Sequence, residues 1–423
     1  MTTKQNPMIS SIHRSACAAL LALCVAGLTS PPAGANYRTK AIDATNFIQR
    51  SYYDQNEGLY RPAVPINPKA LPFDLMWGNG VQLSALVGAE KWEPERYGAV
   101  LSRFSNGLRR YFDTNVPLSG FDAYFSSPGN ADKYYDDNAW VVLGLTEAYR
   151  NTKDPNYLKW AQQTQTFVQS GWDDKLGGGI YWHQQDLKSK NTCSNAPAIV
   201  GALALYDATG DKTNIHWARK TYDWTRAHLQ DPTDGLFWDN MNLDGKIEKT
   251  KWTYNTALMI RAGLGLWRAT KDAHYLAEAR READASLTRW VDPESGAFAD
   301  DARFNHLFAE ALLQTFEATQ DLKYLNAVRR NADFGYRQVR DVRDGGYFNS
   351  WNAINRPNDE RKDLIQNAAV AREFWLLVPY PDTEELKARA QAAAKKGDTV
   401  EALRLFDQLV ASTAGAVPTQ APH

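Results

Sequence analysis

One short phrase occurs four times along the chain: an aromatic residue, then Thr-x-Asp, then the start of a second apolar segment. The copies are YRNTKDPNYL from Tyr149, YDATGDKTNI from Tyr206, WRATKDAHYL from Trp267 and FEATQDLKYL from Phe316. Each aspartate stands where it can accept hydrogen bonds from the free backbone N–H groups of a new helix. A phrase that ends one helix and begins another, repeated every 49 to 61 residues, predicts an array of helical hairpins.

Twelve amphipathic segments surround these turns, because apolar residues recur there at intervals of three and four. Short turns follow the even-numbered segments, whereas long links such as 171–195 and 229–253 follow the odd-numbered ones. In an up-and-down array the long links then all lie at one end. Six such pairs predict an all-α fold, a closed (α/α)6 barrel of six helical hairpins. The predicted helices lie near residues 39–53, 79–88, 95–113, 138–150, 155–170, 196–209, 212–228, 254–270, 273–290, 305–319, 322–338 and 359–377.

The long links share a second pattern, a glycine beside aromatic residues. Glycine permits a tight turn, and the aromatic side chain that follows returns towards the helix ends. Long loops on a rigid scaffold commonly carry binding residues, so we expect all six links to line one mouth that holds the functional site. The segments are NEGLY at 56–60, LSGFDAY at 118–124, GGGIYW at 177–182, DGLFW at 234–238, ESGAF at 294–298 and DGGYFNSW at 344–351.

Residues 1–35 are typical of a signal peptide. Lys4 and Arg14 give a weakly basic start, residues 15–28 are small and apolar, and small residues end the segment at Ala35. The apolar run is too short to cross a bilayer. We therefore expect an exported protein, periplasmic or secreted, that is cleaved near Ala35.

After that cleavage the chain carries 46 basic and 49 acidic side chains, without a basic stripe. Nucleic acid is therefore not an expected partner, and no second apolar run predicts a membrane span. Cys193 is the only remaining thiol, which excludes an internal disulfide and a cysteine zinc site. Because no other cluster has metal-ligand spacing, we expect neither a metal nor a cofactor. We also expect a monomer.

The chain changes character after Pro381. We expect the barrel to occupy residues 36–380 and a small helical hairpin to occupy residues 381–413, which are rich in Ala, Lys and Glu. That segment resembles half of a tetratricopeptide unit, although a solvated helix pair that covers the barrel is the favoured interpretation. Residues 414–423, rich in Pro and Thr, are predicted to form a disordered tail.

Two adjacent carboxylates, Asp136 and Asp137, open the fourth predicted helix at the long-link end. One interpretation is structural: one aspartate caps the helix and the other interacts favourably with its dipole. The other is catalytic, because a glycosidase needs a carboxylate that attacks and a carboxylic acid that protonates the leaving oxygen. Neighbours inside a helix diverge by about 100°, so the catalytic interpretation expects Asp136 to precede the helical turns. Mutual repulsion and burial would raise a pKa, and the residues alone leave open which aspartate takes which part.

The segment Asp-Asp-x-x-Trp at 136–140 resembles the catalytic signature of glycoside hydrolase family 76, the bacterial and fungal endo-α-1,6-mannanases. The similarity continues through GGGIYW at 177–182, the Lys-Asn-x-x-Ser-Asn-Ala-Pro segment at 190–197 and Trp-Thr-Tyr-Asn at 252–255. Roughly residues 40–377 follow the order of the family. The resemblance implies an (α/α)6 barrel and retaining hydrolysis of α-1,6-mannan without a metal. It also implies Asp136 as nucleophile and Asp137 as acid/base.

Eleven further residues near these motifs are predicted to bind the sugar. Trp182 and Trp252 precede helix starts at the long-link end, where an indole can stack on the apolar face of a sugar ring. The asparagines could instead act as helix caps, and Gln366 is predicted to face the barrel axis. His306 is interpreted as a structural histidine. The predicted set is Trp77, Asn79, Tyr135, Trp140, Trp182, Asn191, Asn195, Trp252, Tyr254, Asn255 and Gln366.

Two other functions share some of these features. Another sugar enzyme on the same barrel, a 2-epimerase or an unsaturated-uronide hydrolase, would keep the fold. Epimerases of this shape use pairs of histidines, whereas the six histidines of the cleaved chain are scattered singly. A protein that binds mannan without cleaving it would keep the aromatic residues and make no use of the carboxylates.

Overall fold

The computed structural model describes residues 36–114, 118–125, 132–351 and 361–413. The predicted signal peptide and the predicted tail lie outside these residues. Twelve helices follow one another in the described ranges up to residue 377, in the predicted order. They are α1 (Tyr37–Ser51), α2 (Met76–Trp92), α3 (Pro94–Leu108), α4 (Tyr135–Thr152), α5 (Pro155–Ser170), α6 (Thr192–Thr209), α7 (Thr213–Leu229), α8 (Thr253–Thr270), α9 (Ala273–Trp290), α10 (Asn305–Thr319), α11 (Leu322–Phe334) and α12 (Leu364–Leu377).

The even-numbered helices form an inner ring. Each of them packs against the next even-numbered helix, and α12 packs against α2, which closes the ring. The odd-numbered helices lie outside, each against the inner helix that precedes it, while α1 packs against α12 and completes the sixth pair. The fold is therefore the predicted all-α (α/α)6 barrel.

The Thr-x-Asp phrase forms the short turn between an inner and an outer helix. Its middle residue is left-handed in all four copies, with φ of 61° at Lys153, 74° at Gly210, 62° at Lys271 and 59° at Gln320. This conformation ends the inner helix, and each aspartate then accepts a hydrogen bond from the backbone N–H two residues on. Three of the aspartates are N-caps, as predicted, whereas Asp211 lies one residue before the cap of its helix.

Two helix boundaries differ from the predicted ones in ways that matter for the site. Helix α12 begins at Leu364 rather than near 359, because β9 (Lys362–Asp363) pairs with β3 (Ala63–Val64) and holds the chain extended there. Helix α4 begins at Tyr135, three residues earlier than predicted, so both aspartates lie within its first turn. The expectation that Asp136 precedes the helical turns was therefore wrong.

Short antiparallel strands tie the long links together. The link between α5 and α6 pairs with the link between α7 and α8 in a three-stranded sheet, in which Lys190 lies opposite Met241. Because both links enter inner helices, GGGIYW and the Trp252 segment lie at the same end of the barrel, as predicted. The remaining strands are β1 (Tyr53–Asp54), β2 (Leu59–Tyr60), β4 (Phe112–Asp113), β5 (Gly120–Phe121), β6 (Ser189–Asn191), β7 (Asn240–Asn242) and β8 (Ile247–Glu248).

An asparagine in the first turn of three inner helices holds the glycine–aromatic segment of the preceding link. Asn138 accepts a hydrogen bond from the N–H of Phe121 at 2.7 Å and donates to its carbonyl at 2.9 Å. Asn195 and Asn367 make the same two bonds to the residues that follow Gly179 and Gly346. These paired bonds satisfy buried backbone groups and fix each link on the end of its helix.

Four lysines with almost completely buried side chains form a second device, which we call the link lysines. Each lies two residues before an inner helix and binds acidic side chains of its own link. Lys133 Nζ, for example, lies 2.9 Å from Asp113 and 3.0 Å from Asp122. The charge that is buried is therefore paired within the link, which ties the turn of the link to the helix start. The four are Lys133, Lys190, Lys251 and Lys362.

The C-terminal hairpin consists of α13 (Thr383–Lys395) and α14 (Thr399–Thr413). The two helices pack on each other through Leu386, Ala393 and Leu405, and α14 contacts α11 of the outer ring. No helix within the described ranges has both the length and the apolar character needed to cross a bilayer.

Candidate active site

The aspartate pair lies in the first turn of α4, at the long-link end of the barrel. The N-cap of this helix is Tyr134, whose side chain makes no capping hydrogen bond. The backbone N–H of Tyr135 is bonded to the carbonyl of Trp182 at 2.9 Å, which joins the helix start to the GGGIYW link. The N-cap position that the structural interpretation gave to one aspartate is therefore occupied by Tyr134.

Asp136 receives a hydrogen bond from a neighbouring link. Trp182 Nε1–H donates to its Oδ2 at 3.1 Å, while Oδ1 is buried and has no hydrogen-bond partner among the described residues. Burial raises the pKa of Asp136 to about 6, and the indole N–H opposes that rise because it stabilises the carboxylate. The nearby thiol of Cys193 opposes the rise in the same way. At neutral pH Asp136 is therefore mostly ionised.

Asp137 has more negative surroundings. Burial raises the pKa of Asp137 well above its ordinary value, and the charges of Asp136 and Asp132 raise it further. Asp132 in turn lies 2.6 Å from Nε2 of His183, and the ring of His183 stacks on Tyr134 with 4.3 Å between centroids. These surroundings favour the protonated form of Asp137, the form that a general acid requires.

Aromatic side chains at the starts of three inner helices form a second group at the mouth. Phe304 stacks on Tyr254 with 4.2 Å between ring centroids, and it lies 6.0 Å from both Trp77 and Trp252. Trp252 in this group is 36% exposed, and Trp182 beside the aspartate pair is 43% exposed. The two indoles therefore offer open faces, which is the surface that stacks on a sugar ring.

The predicted amide side chains fall into two groups. Asn195 is fully engaged by its link and by the carbonyl of Asn191 at 2.8 Å, and Asn191 accepts a bond from a serine hydroxyl at 2.7 Å. In contrast, Asn79, Asn255 and Gln366 each hold a buried side-chain oxygen that has no partner among the described residues. A buried acceptor without a partner costs stability unless a ligand or water completes it. The second group therefore has hydrogen-bonding capacity to offer.

Three further predicted side chains lie below the mouth. The ring of Tyr135 is 4% exposed and stacks on Phe167 at 5.0 Å within the core. Trp140 is buried and lines a cavity on the barrel axis. Burial and the charge of Arg372 lower the pKa of His306 to about 3, so this histidine is neutral. Tyr135 is therefore a packing residue by its contacts, whereas Trp140 and His306 line the cavity.

Sequence reasoning missed three residues that the fold brings to the site. Asp239 is a third carboxylate, whose pKa is raised mainly by burial, and its Oδ1 lies 3.5 Å from Asn255 Nδ2. Phe304 is the N-cap of α10, the position that Tyr134 and Trp252 occupy in their own helices. The buried thiol of Cys193 lies near Asp136, whose charge adds to the effect of burial in raising the thiol pKa. An alignment of the sequence segments that begin the inner helices would have identified Phe304 as the counterpart of Tyr134 and Trp252.

The reactive groups in the described part of the mouth are carboxyl groups. No group of three or more His, Cys, Asp or Glu side chains in the described ranges is arranged to hold a metal ion. Asp136, Asp137 and Asp239 are carboxyl groups with raised pKa values, and such groups can transfer a proton or attack carbon.

Comparison with protein families gives one match across most of the chain. A profile described as Glycosyl hydrolase family 76 matches residues 36–375. Among curated proteins, a mannan endo-1,6-alpha-mannosidase of Saccharomyces cerevisiae is 28% identical over 160 residues. That alignment covers 34% of the chain and 35% of the yeast protein, so the chain spans about a third of the relative's length.

Comparison with solved structures gives barrels of the same shape. The family 76 alpha-mannanase from Bacteroides thetaiotaomicron matches with a TM-score of 0.77 and 25% identity, over 82% of this chain and 96% of that one. An alpha-1,6-mannanase from Salegentibacter was solved with alpha-1,6-mannotriose as an inactive variant in which two consecutive aspartates are replaced by asparagine. It matches with a TM-score of 0.69 and 24% identity, over 80% of this chain and 98% of that one.

Proposed function

The chain belongs to glycosyl hydrolase family 76, and from this premise we propose that it cleaves α-1,6-linked mannan with retention of anomeric configuration. Asp136 is the nucleophile and Asp137 the acid/base. The observation that carries the proposal is the unequal environment of two adjacent carboxyl groups at one mouth. One is set to be ionised and the other to be protonated, which is the starting state of a retaining glycosidase.

The assignment of the two roles follows from charge and hydrogen bonding. Asp136 ionises more easily because Trp182 donates to its carboxylate. Asp137 holds its proton to higher pH because Asp136 and Asp132 place negative charge beside it. The replaced aspartates of the inactive Salegentibacter mannanase also occur as a consecutive pair, which supports a catalytic role for the pair here.

Two displacements account for the reaction. In the first, an oxygen of Asp136 attacks the anomeric carbon, and the glycosidic C–O bond breaks as Asp137 gives its proton to the departing oxygen. In the second, Asp137 takes a proton from water, whose oxygen bonds to the anomeric carbon and releases Asp136. Both carboxyl groups end in their starting states, and no cofactor takes part.

The proposed substrate is a neutral mannan. Trp182 offers an open face beside the nucleophile and Trp252 offers another beside the aromatic group, so successive sugar rings can stack without a need for charge. The names of the yeast and Salegentibacter relatives favour the α-1,6 linkage. In this proposal Tyr135, Trp140, Asn191 and Asn195 support the site. The sugar contacts are Trp77, Asn79, Trp182, Trp252, Tyr254, Asn255 and Gln366.

Hydrolysis of unbranched α-1,6-mannan tests the proposed activity. We expect new reducing ends and shortened oligomannosides, with the α-anomer appearing first when the products are followed by proton NMR. A β-1,4-mannan is the matched control and should remain intact. A first product with the β configuration would contradict the retaining mechanism, and intact α-1,6-mannan would contradict the activity.

The same assay addresses the non-catalytic alternative. A protein that only binds mannan should retain the polymer in affinity electrophoresis and release no reducing ends. The unequal pKa values of Asp136 and Asp137 favour catalysis over simple binding. Binding of a neutral sugar does not require one protonated and one ionised carboxyl group, whereas acid–base catalysis does. The alternatives of a 2-epimerase or an unsaturated-uronide hydrolase give way to the family match.

Replacing Trp182 with phenylalanine should move the pH dependence of the reaction. The variant keeps an aromatic face and loses the N–H that lowers the pKa of Asp136. Activity rises with pH as Asp136 loses its proton, so a higher pKa moves the acid limb of the kcat/KM profile upward, by about half to one pH unit. Trp252→Phe is the matched control, because Trp252 is not bonded to the pair, and its limb should stay in place. An unmoved limb in Trp182→Phe would contradict the role given to this bond.

Export belongs to the proposal as well. The signal peptide at residues 1–35 and cleavage near Ala35 remain predictions from the sequence, since the described residues begin at Asn36. The monomeric state is likewise a prediction from the sequence.

A further inference from the structure

The barrel encloses a cavity on its axis, which we call the axial cavity. Its volume is about 80 Å³. Trp140 and His306 line it towards the active site, whereas Arg150, Asp207 and Arg268 line it near the C-terminal ends of the inner helices. Because the aspartate pair lies at the N-terminal end of an inner helix, these last three residues are at the opposite end of the barrel. All three are exposed there.

The axial cavity gathers more positive than negative charge. Four arginines and three acidic residues line it, which leaves an excess of one positive charge. Burial alone would raise the pKa of Glu310, but the charges of Arg261 and Arg372 hold it at about 2, so this acid stays ionised. His306 is neutral and adds no charge. The charged residues are Arg150, Arg261, Arg268, Arg372, Glu147, Asp207 and Glu310.

Two of the arginines are paired, yet each keeps a donor that is not used. Arg261 lies 2.8 Å from Glu310, and Arg372 lies 2.8 Å from Glu147 and 3.4 Å from Glu310. The Nε atoms of Arg261 and Arg372 are nevertheless buried without a hydrogen-bond partner among the described residues. Arg261 is 9% exposed and Arg372 is 3% exposed. A buried charged donor without a partner is costly, so these two N–H groups point to a missing acceptor.

The other two arginines, Arg150 and Arg268, form no ion pair with any described residue, and we call them the rim arginines. Burial is the main effect that disfavours the charged form of Arg268; the charges of Asp207 and Glu317 oppose it, and the charge of Arg150 adds to it. The charge of Arg150 also disfavours the charged form of Arg261, in addition to burial. Neighbouring positive charges at the rim of a cavity favour the binding of an anion, because the anion lowers their mutual repulsion. Water could complete the buried N–H groups but would not offset the excess positive charge.

We propose that the axial cavity binds one small anion, an inorganic oxyanion or a carboxylate, between the rim arginines and the Nε–H groups of Arg261 and Arg372. Guanidinium groups suit such a ligand because their planar donors match two oxygens at once. A cavity of about 80 Å³ has room for a phosphate or an acetate. The site is separate from the aspartate pair, so its ligand is not the sugar that is cleaved.

Thermal unfolding of the protein, with inorganic phosphate as the probe, tests this inference. The sodium salt of HEPES holds the ionic strength constant, since its anion is a bulky sulfonate and neither an inorganic oxyanion nor a carboxylate. Saturating phosphate should raise the Tm of the wild type by about 2–4 °C, because a ligand that binds only the folded state stabilises it. The Arg150→Met/Arg268→Met variant should lose that rise. Arg289→Met is the matched control, because Arg289 is exposed on α9 and does not line the cavity; it should keep the rise.

Parallel titrations with acetate and chloride distinguish the kinds of anion. A rise with phosphate or acetate in the wild type, lost in the double variant, supports the proposal. A rise with chloride alone, no rise with any anion, or an equal rise in the double variant would overturn it. Both rim arginines are exposed and unpaired, so the double variant should fold. If it does not, Arg268→Met alone decides the question, and it should lose at least half of the rise.

Discussion

Changing either aspartate of the pair to asparagine should lower kcat on α-1,6-mannan by at least about two to three orders of magnitude, the scale that general acid–base catalysis alone supplies. Asp136→Asn removes the nucleophile, and Asp137→Asn removes the proton that the departing oxygen needs. The measurement is the initial rate of reducing-end release at saturating mannan. Wild-type rates in both variants, with the fold intact, would place the chemistry elsewhere at the mouth.

The two variants should differ when the leaving group no longer needs a proton. With an aryl mannoside that carries a strongly electron-withdrawing leaving group, Asp137→Asn should recover the first displacement, visible as a burst of released phenol. Asp136→Asn should not, since no oxygen attacks the anomeric carbon. Recovery in Asp136→Asn instead would exchange the two roles and leave the pair as the catalytic centre.

The stability of Asp136→Asn provides a check that the loss of rate is not a loss of fold. The folded state raises the pKa of Asp136 to about 6, so it holds the charged form less well than the unfolded chain does. The stability that this group contributes is complete below its ordinary pKa and is lost as the pH rises through about 6. Asparagine has no charge to bury, so Tm at pH 8 should equal or exceed that of the wild type. The difference should vanish below about pH 4.

The repeat made the barrel predictable because one phrase contains both ends of a turn. Its left-handed middle residue stops the inner helix and its aspartate starts the outer one, so four copies are enough to define an up-and-down array. The aspartate pair was predictable from its motif. The start of α4 was not, because Asp-Asp-Asn resembles a cap in sequence. The true start is set by the bond between Tyr135 and Trp182 in another link.

The residues that the sequence did not reveal depend on contacts between segments. Phe304 has no glycine beside it, and its ring gains a partner only when α8 and α10 are adjacent. The burial of the link lysines could not be predicted from the sequence either, because a lysine in a polar loop usually lies in solvent. Lys190 is completely buried only because the carboxylate of Asp173 and three carbonyl oxygens of its own link surround its ammonium group. A pairing between residues 17 apart across a long link leaves no periodic signal in the sequence.

After the loss of either aspartate of the pair, the loss of the buried charge of Lys190 should have the largest effect, in this case on the stability of the fold. Its Nζ is bonded to Asp173 and to the carbonyls of Lys175, at 2.7 Å, and Gly178. In Lys190→Met these acceptors lose a donor that is completely buried in the folded protein. We expect the free energy of unfolding to fall by about 2–4 kcal/mol. The lower part of this range allows for the partial exposure of Asp173 to water. In thermal unfolding of a chain of this length this corresponds to a fall in Tm of about 2–5 °C.

The same change should reach the active site through the backbone. The N–H of Trp182 is bonded to the carbonyl of Ser189 at 3.2 Å, next to Lys190, so a loosened link also loosens the indole that bonds Asp136. At a temperature where the variant is still folded, kcat/KM should therefore fall and its acid limb should move upward, as in Trp182→Phe.

Lys188→Met is the matched control from the same link, since the Lys188 side chain is 81% exposed and its ion pair among the described residues is with Asp186. It should change neither Tm nor the limb, because an exposed ion pair contributes little. If Lys190→Met unfolds at the wild-type temperature, the buried lysine does not stabilise the link. If Tm falls and the limb stays in place, the link lysine supports the fold alone.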